Sequence, residues 1–307
     1  MRLTALLALL PLLAAPAFAQ EEAATFSSGI QVVNILATVR DHSEQFVRSL
    51  TKDDFSVRED GRPEAIRYFS AETNLPLTIG LLVDTSTSQE KVLNAERGAS
   101  FRFIDSVLRE KMDHVFLMDF DINVKTMQRL TNSRADLQES LRLVNTPTRE
   151  ELRSQYGGGT LLFDAVSDAC KEVMNKQQGR KALIILSDGG DNGSNATLAA
   201  AVQEAQRGNT LVYTILFTSG GLGSNIGKRN MLRLAEQTGG SYFVVTKKLT
   251  IDQVFADIEE DLRSQYSIGF VSDKPAQVSE FRKLQLTTKR PELTVHARDR
   301  YWAGPAQ

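Results

Sequence analysis

The sequence predicts an α/β protein: a doubly wound, mostly parallel sheet with an accessory β module formed by the N- and C-terminal segments. Three observations predict it. Residues 77–83, 114–119, 182–186, 211–217 and 242–245 are short, near-continuous apolar runs, as strands covered on both faces require. Amphipathic stretches at 90–108, 133–143, 162–175, 196–207, 227–237 and 251–263 alternate with them, and strand–helix alternation through short links specifies βαβ units. The flanks, 29–74 and 266–303, carry strand patterns only.

Taken in order, residues 1–19 place Arg2 before an apolar run that closes on Ala17, Phe18 and Ala19. This is the layout of a secretory signal peptide cleaved after Ala19. The run is broken by Pro11 and Pro16 and is too short for a membrane anchor. No cysteine follows it to take a lipid. Residues 20–28 are small and polar, a flexible lead-in. Residues 32–39 are rich in β-formers, 54–59 alternate, Asp60-Gly61 turns the chain and 65–69 returns. Within the α/β segment, 75–265, residues 124–130 form an extra strand, paired with its neighbour through Asp121, Ile122 and Asn123. After Ser264 come strands at 266–271, 281–287 and 293–297. Neither flank is long enough for a core of its own, so the two pair into one module.

Composition narrows the function. With 307 residues, 41% hydrophobic and 24% charged, the chain is not a disordered one. A net charge of -2 argues against charge-driven nucleic-acid binding. The single cysteine, Cys170, excludes an intramolecular disulfide and a multi-cysteine metal cluster, and it reads as a small buried residue on a helix. His42, His114 and His296 are far apart. No later stretch approaches membrane-spanning length. An export leader without disulfides suits a bacterial periplasmic or secreted protein that relies on its core.

Three motifs carry chemistry. Asp84-Thr85-Ser86-Thr87-Ser88 sits where a buried strand meets a helix, Gly157-Gly158-Gly159-Thr160 opens another helix, and Ser187-Asp188-Gly189 ends a second buried strand. Strand C-terminal ends gather at one edge of an open parallel sheet, so the three pieces converge there. Asp84, Ser86, Ser88, Thr160 and Asp188 then offer oxygen alone, which selects a hard cation, Mg²⁺ first, with Mn²⁺ or Ca²⁺ as alternatives. Neutral hydroxyls leave such a cation electrophilic, with a coordination position open to an Asp or Glu carboxylate of a protein partner. The glycine loop permits close approach.

In identity and order these five residues resemble the metal-ion-dependent adhesion site of the von Willebrand factor A (VWA) family, and the resemblance covers 77–265. It implies a Rossmann-like VWA fold and a role in adhesion or complex assembly rather than catalysis. It also implies direct metal contacts from Ser86, Ser88 and Thr160, with Asp84 and Asp188 acting through water. In related adhesion domains the last helix shifts when the metal site fills; here 251–263 runs into 266–271 with almost no linker. Residues 50–61 and 262–270 resemble a VWA-related group typified in Acidobacteria.

Plainer explanations account for single motifs but not for all three. Ser86 and Ser88 are common helix caps, and Asp188-Gly189 is a common turn. Asp119-Phe120-Asp121 is similar to the nucleophile motif of haloacid-dehalogenase-like phosphatases; with Asp188 and Asp191 it gives the alternative, a Mg²⁺-dependent phosphatase-like hydrolase. Asn123 stands where that motif has Thr or Val, and Thr218 follows the acids in the wrong order. Residues 188–195 are rich in Asp, Asn and Gly, but Gly190, Asn192 and Ala199 fail the EF-hand spacing. The glycosylation patterns at Asn192 and Asn195 carry no weight in a bacterial export setting. No histidine stands near Ser86 or Ser88 to serve as a base. Arg282, Lys283, Lys289, Arg290, Arg298 and Arg300 read as a solvated, mildly basic sheet face.

Overall fold

Apolar strands need cover on both faces, and that requirement organises the molecule. The computed structural model describes residues 32–71, 75–148, 150–151, 159–217, 225–274 and 280–303. The expected signal peptide at 1–19, the lead-in at 20–28, Gly157, Gly158 and Thr218 lie outside the described residues. Four strands open the described chain: β1 (Val32–Arg40), β2 (Phe55–Glu59), β3 (Arg62–Glu64) and β4 (Ile66–Ser70). Next come β5 (Leu77–Asp84), α1 (Leu93–Val107), β6 (His114–Phe120), β7 (Val124–Thr131), α2 (Arg134–Leu143) and α3 (Leu162–Asp168). They are followed by β8 (Arg180–Ser187), α4 (Leu198–Arg207), β9 (Thr210–Leu216), α5 (Asn225–Thr238), β10 (Tyr242–Val244) and α6 (Ile251–Arg263). The last strands are β11 (Tyr266–Val271), β12 (Phe281–Thr288), β13 (Thr294–Ala297) and β14 (Arg300–Trp302).

The central sheet runs β10-β9-β8-β5-β6-β7, parallel except for β7, which returns antiparallel along β6 as the expected hairpin. Every residue of β5, β8 and β9 is buried. Their side chains alternate between two cores. Ile79, Leu81 and Val83 pack under α1, α2 and α6, while Leu82, Leu183 and Ile185 pack under α3, α4 and α5. Gly80 is required by close packing, since a Cβ there would come within 2.3 Å of the Phe116 ring. Phe103 and Phe255 stack at 4.5 Å and join α1 to α6.

Two helices depart from the sequence pattern. A short turn over Thr87–Gln89 delays α1, which begins at Leu93 rather than at residue 90. The helix expected over 162–175 is α-helical only to Asp168, then passes through a π turn (Ala169–Val173) and a 3₁₀ turn (Met174–Lys176). The wider turn carries Met174, rather than Val173, onto the buried face.

The two chain ends do pair with each other, in two antiparallel sheets around one core rather than in one. Their orders are β13-β1-β11-β4 and β14-β12-β2-β3. Val33, Ile35, Val57, Ile268, Phe270 and Leu284 supply much of the shared core. The basic C-terminal face needs correction: Arg282 is 1% exposed and Arg298 is 8% exposed. Arg282 is held by Ser272 (2.9 Å) and Glu280 (3.2 Å), with Glu59 at 3.8 Å. Arg298 donates to the Asn34 carbonyl at 2.6 Å, and burial pushes its guanidinium down to about 10. Buried cations persist only where such acceptors meet them.

This β module attaches at the N-terminal edge of the parallel strands. Arg180, the first residue of β8, is buried and donates to the carbonyls of Leu262 (2.8 Å) and Gln265 (2.9 Å). It thereby caps the end of α6, where the chain enters β11. Gln206 of α4 donates to Gln237 O (2.6 Å) and accepts from Trp302 N (2.9 Å), which ties β14 to the same edge. Asp113 is a third pin, accepting from Leu77 N (3.0 Å), Arg109 Nε (2.8 Å) and Arg263 Nη2 (3.4 Å).

Arg180→Ala leaves two buried carbonyls without donors, and is expected to cost about 3 kcal/mol in denaturant titration and to speed hydrogen exchange at residues 262–266. Burial alone would push the Asp113 carboxyl up, but hydrogen bonds from Arg109 and Leu77 outweigh it and hold the pKa below the usual value. A depressed acid contributes stability above its unfolded pKa and loses it on acidification. The melting-temperature gap between the native protein and Asp113→Asn is therefore expected to be widest near pH 7 and to close towards pH 3.

Candidate metal centre

Asp84 is the last residue of the central strand, so its side chain leaves the sheet where no strand continues to cover it. It is nevertheless fully buried. Its Oδ1 accepts from Ser86 N at 2.9 Å, which turns the chain, and its Oδ2 accepts from Ser187 Oγ at 2.5 Å. The turn brings Ser86 Oγ to 3.0 Å from Ser88 Oγ. Ser86 is half-buried and Ser88 is exposed, so the pair forms a path from the interior to the surface. Adjacent oxygens around an octahedral cation with about 2.1 Å bonds lie about 3.0 Å apart, the spacing of these two hydroxyls.

Ser187 joins the second motif to the first. Besides donating to Asp84, its Oγ accepts from Gly189 N at 2.9 Å. Asp188, half-buried, accepts from Gly190 N at 3.0 Å through Oδ1. The turn needs glycine at 189: φ is +79°, and a Cβ would lie 2.3 Å from the Gly227 carbonyl. Asn230 of α5 braces it by donating to Gly189 O at 3.1 Å. The connection after β5 leads to α1 on one face and that after β8 leads to α4 on the other. Asp84 and Asp188 therefore flank the crevice where ligands bind in open α/β sheets.

Thr160 is buried and reaches this edge through its neighbours. Its N–H donates to Asn192 Oδ1 at 2.6 Å, and Asn192 N donates back to Thr160 O at 3.2 Å. Leu161 N donates to Asp121 O at 3.0 Å, and Asp121 Oδ2 accepts from Thr85 Oγ1 at 3.1 Å, which links the loop to the residue after Asp84. Leu161 has no capping side chain, so α3 is capped from outside. Asp191 Oδ1 accepts from Phe163 N (3.1 Å), and Ser194 Oγ accepts from Phe163 N and Asp164 N (3.1 Å each). The Asp- and Asn-rich stretch 188–195 is thus a brace for Thr160. Asp119 stands apart from this work, while the Asp121 carboxylate is spent on Thr85 and on its own turn, accepting also from Asn123 N at 2.9 Å. Burial pushes Asp119 up to about 6 against the pull of Lys125.

The charges at this edge are unbalanced. Burial pushes Asp84 up to about 6, opposed by the hydrogen bonds of Ser187 and Ser86 and assisted by the charge of Asp188. At neutral pH that rise costs the fold about 3 kcal/mol unless a cation neutralises it. Glu96, on α1, is fully buried and pushed well above its usual value by burial, then by Asp84 and Asp188. Among the described residues neither of its carboxylate oxygens has a hydrogen-bond partner, nor has Gln89 Oε1. An oxygen-only set with orphaned acceptors and surplus negative charge fits a hard divalent cation. Elsewhere, Glu59, Glu64 and Asp273 bring one oxygen each within 4.8 Å of one another. Glu59 there already accepts from Ser272 (2.8 Å) and Tyr301.

Sequence reasoning missed Ser187, Asn192 and Glu96. The first two act through contacts across 103 and 32 residues. For Glu96 a signal was present: it occupies a position in the apolar stripe of α1, between Leu93 and Ala99.

The profile of the von Willebrand factor type A domain matches residues 78–257. No curated protein sequence matches this one. Proximal thread matrix protein 1 from the mussel byssus aligns at 15% identity and a TM-score of 0.52, over 67% of this chain and 51% of its own. An aerotolerance-related membrane protein from Bacteroides fragilis aligns at 14% identity and a TM-score of 0.48, over 61% of this chain and 98% of its own. The vWF domain of the type V pili tip protein Mfa5 from Porphyromonas gingivalis aligns at 13% identity and a TM-score of 0.48, over 61% and 94%. The likeness to the mussel protein is one of fold. With its matched profile over more than half the sequence, this chain belongs to the von Willebrand factor type A domain family.

Proposed function

We propose that this chain is an exported, non-enzymatic protein-binding module that captures an acidic side chain of a partner through a divalent cation. Asp84, Ser86, Ser88, Thr160 and Asp188 would hold the cation, Mg²⁺ first, with Mn²⁺ or Ca²⁺ as alternatives. The observation that carries the reading is Asp84, a buried and unneutralised carboxylate beside two hydroxyls 3.0 Å apart at the switch point of the sheet. Family membership supports binding over catalysis. Export rests on the expected signal peptide at 1–19; no helix among the described residues is long and apolar enough to cross a membrane.

Each residue has a separable task. Asp84 contributes charge and, through Ser86 N, sets the turn that pairs the hydroxyls. Ser86, Ser88 and Thr160 offer uncharged lone pairs. Asn192 fixes the backbone of Thr160, and Ser187 fixes the distance between the Asp84 and Asp188 turns. When bound, the cation supplies a Lewis-acidic position for the partner's carboxylate. The exposed Ser88 marks the side from which that carboxylate arrives.

Calorimetry with Mg²⁺ is expected to give heat with the native protein and none with Asp84→Asn, at matched circular dichroism; equal heats would overturn the reading. Capture of a protein from the envelope fraction is expected to be lost in EDTA and restored by Mg²⁺. Asn192→Ala removes the brace on Thr160 and is expected to weaken Mg²⁺ binding about 10-fold, read by the same titration, while costing about 1 kcal/mol of stability.

A further inference from the structure

Helix α1 packs on the sheet through a stripe that includes Leu93, Glu96, Ala99, Phe103 and Val107. A glutamate in such a stripe is out of place. Because α1 returns antiparallel to β5, its first two turns lie over the sheet edge that carries Asp84. Glu96 is 0% exposed, and both of its carboxylate oxygens lack a hydrogen-bond partner among the described residues. Ser100 Oγ, one turn further along the same face, and Gln89 Oε1 are likewise buried and without a partner. The charged groups that bear on Glu96 are Asp84 and Asp188, both acids. Two other buried acids are met by guanidinium groups, Asp113 by Arg109 and Glu59 by Arg282. Among the described residues none meets Glu96.

We infer that Glu96 is a third carboxylate of the cation site, placed on its inward side to hold and orient the cation's water from α1. The inference rests on the five-residue site proposed above. Asp84 and Asp188 balance a divalent cation in number, and three hydroxyls add donors without charge. Glu96 adds a third negative charge that retains the cation. It sits on the buried side, whereas Ser88 is exposed, so the outward position stays available to a partner. Gln89 and Ser100 give the intervening water further oxygen partners. Glu96 is a positioning residue: it acts on the cation through solvent and through charge.

The test is a Mn²⁺ titration, read by electron paramagnetic resonance, of the native protein, Glu96→Gln and Asp84→Asn, with thermal melts of each in EDTA. Glu96→Gln is expected to weaken Mn²⁺ binding 10- to 100-fold, the usual loss for a group one water removed from a metal. It is also expected to raise the melting temperature in EDTA, because an amide relieves the repulsion from Asp84 and Asp188. A merely structural glutamate could not give these opposite signs. Undiminished Mn²⁺ affinity in Glu96→Gln, with affinity lost in Asp84→Asn, would overturn the inference and leave the five-residue site standing. A lowered melting temperature in Glu96→Gln with unchanged Mn²⁺ affinity would overturn it also. Undiminished affinity in Asp84→Asn would remove the five-residue site, and this inference with it. Should Glu96→Gln fail to fold, Glu96→Asp keeps the charge but shortens its reach, and weaker Mn²⁺ binding is again the expected result.

Discussion

Negative charge gathered at one sheet edge, with no basic side chain among the described residues set against Asp84 or Glu96, is the constraint around which this molecule is arranged. Asp84 ends a fully buried strand, and Glu96 approaches it from α1 closely enough for their charges to act on one another. Like charges in a low-dielectric interior repel strongly and cannot be relieved by water. The sheet imposes the arrangement, because β5 cannot be buried on both faces without burying its last residue. The contrast with the opposite edge is informative: Asp113 has Arg109 and Arg263, and its pKa falls; Asp84 has only Ser187 and Ser86, and its pKa rises.

Holding such a site together takes scaffolding that, among the described residues, contributes no positive charge. The three loops that meet there are joined by neutral donors and by backbone. Ser187 spans from β8 to Asp84, Thr85 reaches Asp121, and Asn192 clasps Thr160. These contacts fix the three loops to one another without bringing a positive charge to the carboxylates. A loop-borne site on a rigid sheet gains precision in this way. Capping α3 with Asp191 and Ser194 serves the same end, since the helix start and the β8 loop become one unit.

Legibility in the sequence followed the range of the interactions. The parallel strands were readable because double-sided burial writes itself as uninterrupted apolar runs, and 77–83 corresponds to β5 almost residue for residue. The candidate oxygens were readable because a strand end fixes which residues can meet at an edge. Asn192 was not, because its task is defined by a backbone 32 residues away and its neighbours imitate a calcium loop. Arg282 and Arg298 were read as solvated because alternation alone does not show that a second sheet covers their face. The π turn at Ala169–Val173 was hidden because one inserted residue leaves the amphipathic pattern nearly intact.

The β module stands at the far edge from the candidate site. Its contacts with the central sheet lie at the other end of the strands from the crevice between the β5 and β8 ends. One of its ties to the central sheet is α6, which passes into β11 through Ser264 and Gln265 alone. Arg180 holds Leu262 and Gln265 across that junction, so the helix end and the strand start form a single block. Phe255 stacks on Phe103 of α1, the helix that also carries Glu96. Arg180 is anchored in β8, so an axial displacement of α6, with or without β11, would have to break its bonds to both carbonyls. Breaking them would leave two buried carbonyls without these donors, so the contacts hold the α6 end and the β11 start in place.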